Sequence, residues 1–473
     1  VTNGWNKKKG ETEMSQCNIT RRRLLKTALV GAATVPAAGL LAACGSAPTP
    51  TPAPAKPAEA AKPAAPAAPA GPKLSGDIEF WSRETFDNGA RQPLVEARLK
   101  AFDAKYGTNS RAQFMVFADS VNKTQAALAA GTPPDLGQQG PDVALRFGAA
   151  GDLLELDDVY KEMASSYLPL QKEAFVNWNG KAYSVPWHLE TRVLFYHKDL
   201  LEKAGVKPPT TWQEWTDAAK ALTKGDDQYG YIFNPEGGFP GQIFIPLGTS
   251  AGGNVLDKDG KVQSNTPEFE AALQFMVDQY NAKVMPAALP TLKQNDTNQL
   301  FLQKKAAMYI QSGALVQTIK ASQPELMNTL GAVQIPVRKA GDISRSFLGG
   351  FQLFVFAKGK NTAGAKELLK WLLDPVWYED YVKRTNGSAL PATKAVAASD
   401  FYSKDPILST IMKQIETGVR YGGPLYGNAP FLGEAEGKGL FSQPVMDAIT
   451  GKRSVKEALA FMDLEIKKLA KQA

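Results

Sequence analysis

Cysteine and histidine are scarce in this chain. Cys17 and Cys44 are the only thiols, and His188 and His197 the only imidazoles, in 473 residues. Both cysteines precede position 45, so the remainder has no disulfide, no thiolate nucleophile and no cysteine metal site. Two histidines are too few for most zinc sites or for histidine-based acid/base chemistry. A basic face is missing as well. The whole chain carries 54 Lys+Arg against 47 Asp+Glu, a net charge of +7. Residues 1–43 hold seven of the bases (Lys7, Lys8, Lys9, Arg21, Arg22, Arg23, Lys26) and two acids (Glu11, Glu13). That leaves 47 bases against 45 acids, with no run suited to a phosphate backbone, so no nucleic-acid partner is expected. No G-x-x-x-x-G-K-[ST] loop occurs, so the chain is not its own ATPase.

The N-terminal stretch is rich in what the rest lacks. Thr20-Arg21-Arg22-Arg23-Leu24-Leu25-Lys26 precedes an Ala/Gly/Leu run ending in Leu41-Ala42-Ala43-Cys44. A basic patch, a short apolar run and small residues before a cleavage point make an export signal. The paired arginines look like the twin-arginine variant, and Leu41-Ala42-Ala43-Cys44 resembles a bacterial lipobox with Cys44 as the lipidation site. A transmembrane helix over Thr27 to Ala43 is the competing reading. That run is short of the roughly 20 strongly apolar residues a span needs, and Pro36 breaks it. Met14 is a more natural start than Val1. Residues 1–43 thus read as signal. Residues 44–73 read as lipidated cysteine plus a Pro/Ala-rich linker, either a semi-rigid stalk or a disordered spacer. The expected location is extracytoplasmic, with N-terminal lipid as the only membrane attachment.

Some 400 residues follow, more than one ordinary hydrophobic core holds, so two domains are the default. Asp77–Trp81 alternates like a strand. Val95, Leu99, Phe102 and Tyr106 recur at helical spacing and Gly107 stops the helix. Gln113–Phe117 reads as a strand. Ser120 reads as the cap of a short helix with Val121 and Leu128 inward. A strand end at Asp135-Leu136-Gly137 and a helix over Val143–Phe147 follow. This alternation predicts a mainly parallel sheet with helices on both faces. Further on, Val193–Tyr196 reads as a strand, Thr211-Trp212-Gln213-Glu214 as a capping box, and Thr266-Pro267 as a helix start. Ala306–Ile310 and Phe351–Phe356 read as strands, with a helix from Ala363 to Leu373.

The order of short motifs resembles the family 1 extracellular solute-binding proteins of ABC importers, among them the maltose-binding proteins. The matching stretches are Ala129–Asp135, Gly151–Leu156, Lys181–Pro186, Leu194–Leu200 with Pro209–Glu214, Ala307–Ile310 and Gly349-Gly350-Phe351. Each is weak alone; their order and spacing are specific. The resemblance implies an α/β, two-lobed periplasmic-binding-protein-like fold (type II) with a ligand cleft between lobes and interleaved chain crossings. Lobe one would hold residues 74–188 and 349–394, lobe two 189–348 and 395–473. It also implies a small-molecule solute, a mono- or disaccharide or sugar derivative, and ABC permease subunits with a separate ATPase. The chain would act as a monomer, with no cofactor, no metal and no catalysis.

A sugar presents hydroxyls to planar polar groups and C–H faces to aromatic plates. Candidate ligand contacts lie where the resemblance places strand-end loops. They are Trp81 and Arg83 after the first strand, and Gln138, Gln139 and Asp142 after the third. Trp187 and Glu190 follow at the crossing, then Phe239, Gln311 and Ser312, Gly350 and Phe351, and Tyr421. Each has a plainer reading: Trp81 and Trp187 as core, Arg83 as a solvated charge, Asp142 as a helix cap, Gly350 as a hinge turn. His188 reads as structural. Gln139 and Leu315 stand where relatives carry aromatic residues, which favours a short ligand over a long maltodextrin. Arg83 leaves open a carboxylate- or phosphate-bearing ligand.

Gly248-Thr249-Ser250-Ala251-Gly252 matches the G-x-S-x-G nucleophile elbow. That chemistry needs a histidine downstream, and both histidines lie upstream. A glycoside hydrolase using a carboxylate pair such as Asp142 and Glu190 is the alternative enzyme class. A surface lipoprotein without a transport role is the other.

Overall fold

The computed structural model describes residues 74–83, 91–116, 119–168, 177–423 and 429–472. The described residues all fall in one compact unit, Gly71–Ala473. The export signal, Cys44 and the Pro/Ala-rich linker lie outside the described residues.

Fourteen strands occur among the described residues. They are β1 (Gly76–Arg83), β2 (Thr108–Met115), β3 (Leu136–Gln139), β4 (Asn177–Trp178), β5 (Lys181–Ala182), β6 (Val185–Glu190) and β7 (Arg192–His197). Then come β8 (Ile232–Phe233), β9 (Met308–Ser312), β10 (Leu330–Val333), β11 (Ser346–Phe347), β12 (Gly349–Val355), β13 (Leu390–Pro391) and β14 (Gly418–Val419). One six-stranded sheet has the order β13-β6-β12-β3-β1-β2, and a four-stranded sheet has the order β10-β7-β9-β8.

The expectation of a mainly parallel sheet needs correction. Only β2–β1–β3 run parallel in the larger sheet; β12 is antiparallel to β3 and β6, and β13 to β6. The smaller sheet is antiparallel except for β8–β9. The reason is topological. β12 enters the larger sheet from the far end, after the chain has built the smaller one.

Local signals account for many elements. Helix Gln92–Tyr106 buries Val95, Leu99 and Phe102 and stops at Gly107 in the left-handed region, φ 76°. Helix Trp212–Leu222 opens on the complete Thr211/Glu214 capping box. Helix Ser120–Ala129 departs from its reading: Ser120 lies inside it and, with Thr124, faces inward, while Val121 and Leu128 are half-buried. The Gly248–Gly252 match falls at the end of helix Phe239–Ser250, with Pro246 inside it. Ser250 Oγ there donates to the Ile343 carbonyl at 2.8 Å, so no strand-to-helix elbow exists.

The chain passes between the sheets at Glu190-Thr191-Arg192, at Phe347-Leu348-Gly349, and before β14. These crossings are bound together. Thr191 Oγ1 donates to the Phe347 carbonyl at 2.9 Å, and Ser346 Oγ to the Arg192 carbonyl at 2.7 Å. The Leu348 amide donates to the Val419 carbonyl at 2.9 Å, beside the parallel β11–β14 pair. One buried core runs from Ile78, Phe80 and Leu136 through Trp187, Leu189 and Val193 to Phe195 and Tyr309, so apolar packing continues through the crossings. A second core, with Trp215, Phe244, Phe269 and Phe441, fills the smaller sheet's helical layer.

Candidate functional site

The ends of β3, β6, β7, β9 and β12 meet at the crossings, and the polar candidates gather there in two groups. The first is built on the larger sheet. The Gln138 Oε1 accepts from Ser82 Oγ at 3.0 Å and from the Arg83 amide at 3.1 Å. The Arg83 guanidinium lies over the Phe351 ring, 4.7 Å from its centroid, and His188 packs on the same ring at 4.8 Å. Burial pushes the Arg83 pKa down to about 10, so it stays cationic at neutral pH. Burial, with Arg91 and Arg83 nearby, pushes the His188 imidazole well below its ordinary range, so it is neutral. Both its ring nitrogens, Gln138 Nε2, Gln139 Oε1 and Gln352 Nε2 are buried with no hydrogen-bond partner among the described residues. Gln139 otherwise donates only weakly, to Thr124 Oγ1 at 3.4 Å.

Gly350 makes the close approach possible. Its φ is +122°, and a Cβ there would lie 2.1 Å from the His188 carbonyl oxygen. Only glycine fits where β12 and β6 slip register between Phe351 and Gln352.

The second group straddles the two sheets. Arg192 is buried and donates to Glu190 Oε1 at 2.7 Å and to Gln242 Oε1 at 2.5 Å. Its guanidinium lies 4.7 Å from the half-buried Phe239 ring and 5.6 Å from Phe347. Arg420 is paired with Asp142 and lies 3.8 Å from Glu436 Oε2. It also donates to the Leu348 carbonyl at 2.8 Å and covers the Phe347 ring at 4.7 Å. Burial lowers the Arg420 pKa, while Glu436 and Tyr421 oppose that. Asp142 opens helix Pro141–Ala149, which packs against β12; helix Pro430–Gly437 packs against the helices of the second core. The two helices touch: a Cβ on Gly433 would lie 2.8 Å from Asp142 Cβ. The layers of the two sheets are therefore closed on each other at this point.

The remaining candidates divide. Ser312 is the register partner of Arg192 and sits at the edge of this group, whereas Gln311, the partner of Val193, lies on the opposite face of β9 with Tyr309. Gln311 Nε2 donates to Tyr309 Oη at 2.8 Å, and its Oε1 accepts from the Ser312 amide at 2.8 Å. Trp81 is half-buried, its indole donates to Glu79 Oε1 at 3.0 Å, and it joins neither group. Trp187 and Tyr421 require correction as ligand plates. Trp187 is 0 % exposed and stacked on Tyr381, centroids 5.0 Å apart and planes 6° from parallel. Tyr421 is stacked on Phe441 at 4.1 Å and 3°, with its hydroxyl donating to Glu436 Oε1 at 2.8 Å. In this closed arrangement neighbouring protein rings hold these faces.

Sequence reading missed Arg192, Arg420, Glu436 and Gln242. Arg192 carried a signal, as the one charge in the apolar run Arg192–Tyr196 beside a crossing. Arg420 and Glu436 carried none, because their partners lie far away in sequence. Among the described residues no cluster of His, Cys, Asp and Glu suits a metal.

The sequence profile for the bacterial extracellular solute-binding proteins matches residues 97–410. The chain is 28% identical over 309 residues to the diacetylchitobiose binding protein DasA of Streptomyces coelicolor, covering 63% of this chain and 70% of that one. It is 26% identical over 362 residues to the sn-glycerol-3-phosphate-binding periplasmic protein UgpB of Agrobacterium fabrum, covering 72% and 80%. Its fold is similar to that of an ABC transporter solute-binding protein from Thermotoga lettingae solved with α-D-tagatose. That match has a TM-score of 0.69 and 23% identity, over 83% of this chain and 99% of that one. Such relatives are solute-binding proteins, not enzymes. The two-lobed α/β architecture and the motif order agree with the profile: this chain belongs to the family of bacterial extracellular solute-binding proteins.

Proposed function

We propose that this chain captures a neutral carbohydrate, a mono- or disaccharide or a derivative of one, and delivers it unaltered to an ABC permease driven by a separate ATPase. The observation that carries the reading is the meeting of Asp142 and Arg420 across the two layers. Beside it lie buried amide and imidazole groups whose hydrogen bonds are unmet. Buried polar groups without partners are costly, and a hydroxyl-rich ligand would satisfy them on closure. The charges of the second group support a neutral ligand. Two guanidiniums, Arg192 and Arg420, already face three carboxylates, Glu190, Asp142 and Glu436. The diacetylchitobiose and tagatose of two relatives agree with this class; the glycerol phosphate of a third makes an anionic ligand the reading to test against.

In this reading lobe one holds residues 74–188 and 349–394, and lobe two residues 189–348 and 395–473. The sheet memberships support the division, although β6 carries Leu189 and Glu190 into the larger sheet and helix Lys394–Ala397 packs on β13, which draws the first and last crossings past those bounds. The contacts are Arg83, Gln138, Gln139, Asp142, Glu190, Phe239, Gln311, Ser312, Gly350 and Phe351, joined by His188, Arg192 and Arg420. The mature protein works as an extracytoplasmic monomer. It is exported by the twin-arginine-like signal and tethered through lipid on Cys44.

The test is calorimetry of the purified body with neutral sugars, sugar acids, sugar phosphates, glycerol 3-phosphate and maltodextrins. The reading expects one short neutral sugar to bind tightest and to be recovered unchanged. Tightest binding of glycerol 3-phosphate would overturn the neutral class, and turnover of the sugar would overturn transport binding.

A further inference from the structure

Arg192, at the first crossing, has one donor left over. Nη1 donates to Glu190 Oε1 at 2.7 Å and Nη2 to Gln242 Oε1 at 2.5 Å. The residue is 3% exposed, and its Nε is buried with no hydrogen-bond partner among the described residues. A buried donor on a charged group is costly to leave unpaired. A cavity of about 10 Å³ lies against this side chain. Ile243, Ile310 and Ile335 wall it, and Gln242, Pro246 and Ser346 complete the lining. One water needs about 10–15 Å³ on this measure, so the space suits a single water and nothing larger.

Two acceptors belong to residues of the same lining. Pro246 stands four residues after Gln242 inside helix Phe239–Ser250 and has no N–H, so the Gln242 carbonyl loses its ordinary helical donor. The Gln242 side chain is already committed, its Oε1 to Arg192 and its Nε2 towards Glu436 Oε1 at 3.5 Å. Ser346 Oγ donates to the Arg192 carbonyl at 2.7 Å and accepts from the Arg192 amide at 3.1 Å, which leaves it one lone pair. One donor and two acceptors make three partners, the usual number for a buried water. The guanidinium repels a cation. Glu190 already balances its charge, so an anion would gain little to offset its own desolvation.

We infer that this cavity is a binding site for one resident water, which accepts from Arg192 Nε and donates to the Gln242 carbonyl and to Ser346 Oγ. The water ties the first crossing, the second crossing and the proline-bearing helix to one another. It thereby fixes the plane of the Arg192 guanidinium, whose other edges hold Glu190 and Gln242. Pro246 has a role in this arrangement: it frees the carbonyl that the water needs. The inference is independent of the ligand class, so its failure leaves the proposed function standing.

Two measurements on the ligand-free body test it. A high-resolution crystal structure of the wild type should show one ordered water within hydrogen-bond reach of Arg192 Nε and the Gln242 carbonyl. Ser346→Thr keeps the hydroxyl and adds a methyl group on the scale of the cavity. Oxygen-17 relaxation dispersion of water should then count one long-lived internal water fewer in the variant than in the wild type, with melting temperature as the check on folding. A wild-type crystal with no water at that point, while other buried waters are visible, overturns the site. So does an Arg192 Nε bonded to a protein oxygen instead, or an equal count of long-lived waters in the two folded proteins. If Ser346→Thr does not fold, the wild-type crystal decides alone.

Discussion

The Arg420 guanidinium, carried just past β14, forms an ion pair with Asp142 at the start of helix Pro141–Ala149, joining the layers of the two sheets. Both side chains are nearly buried, 3% and 11% exposed. Removing one member leaves a charge in a site where water screens it poorly.

Asp142→Ala should therefore lower the stability of the ligand-free protein by about 3–5 kcal/mol, read from urea unfolding. Glu436, 3.8 Å from Arg420, keeps the cost towards the lower figure. Small-angle scattering of the same variant should show a larger radius of gyration. Wild-type stability with an unchanged scattering profile would mean the pair does not hold the lobes.

Gly350→Ala places a methyl group 2.1 Å from the His188 carbonyl oxygen at a φ of +122°. Backbone cannot yield as a flexible side chain can. A loss of at least about 2 kcal/mol in unfolding free energy is expected, with weaker sugar binding. A variant as stable as wild type would show that β6 and β12 slide past each other freely.

Trp187→Ala tests a residue that looks like a ligand plate in sequence and is core in the fold. With 0% exposure and Tyr381 stacked on it at 5.0 Å, its removal should cost about 3–5 kcal/mol of stability. If the melting temperature holds while sugar affinity falls tenfold, Trp187 belongs to the ligand after all.

His197 sets a pH dependence. Burial pushes its pKa down to about 4, against the opposing hydrogen bond between Nε2 and the Phe301 carbonyl at 2.9 Å. The unfolded chain takes up this proton near pH 6.5 and the folded chain only near pH 4, so stability is lost as pH falls through that window. The loss from this group reaches about 3 kcal/mol. His188 acts in the same direction. His197→Gln should flatten the slope of unfolding free energy between pH 6.5 and 4; an unaltered slope would place the titration elsewhere.

Cys44→Ala tests anchoring. The variant should leave the membrane fraction for the secreted or precursor pool, seen by fractionation and mass of the N-terminal peptide. A variant still processed and membrane-bound would refute the lipobox.

Local chemistry was legible in the chain. The Val95/Leu99/Phe102 spacing with Gly107, the Thr211/Glu214 capping box, and the apolar run of β12 each depend on neighbours within a few residues. Hydrogen bonds at those distances need no tertiary partner. The order of such elements, with the short motifs between them, was enough for the two-lobed class and for a solute-binding family.

Tertiary structure decided the rest. Sheet direction depended on where β12 re-enters, so the alternating pattern overestimated parallel pairing. Trp187 and Tyr421 became packed rings because Tyr381 arrives from helix Pro375–Lys383 and Phe441 from the turn after helix Pro430–Gly437. Arg420 found Asp142, and Arg192 found Gln242, only when the crossings brought separate segments together. A buried charge needs a partner wherever the chain brings one, and sequence spacing carries no record of a partner that closure alone supplies.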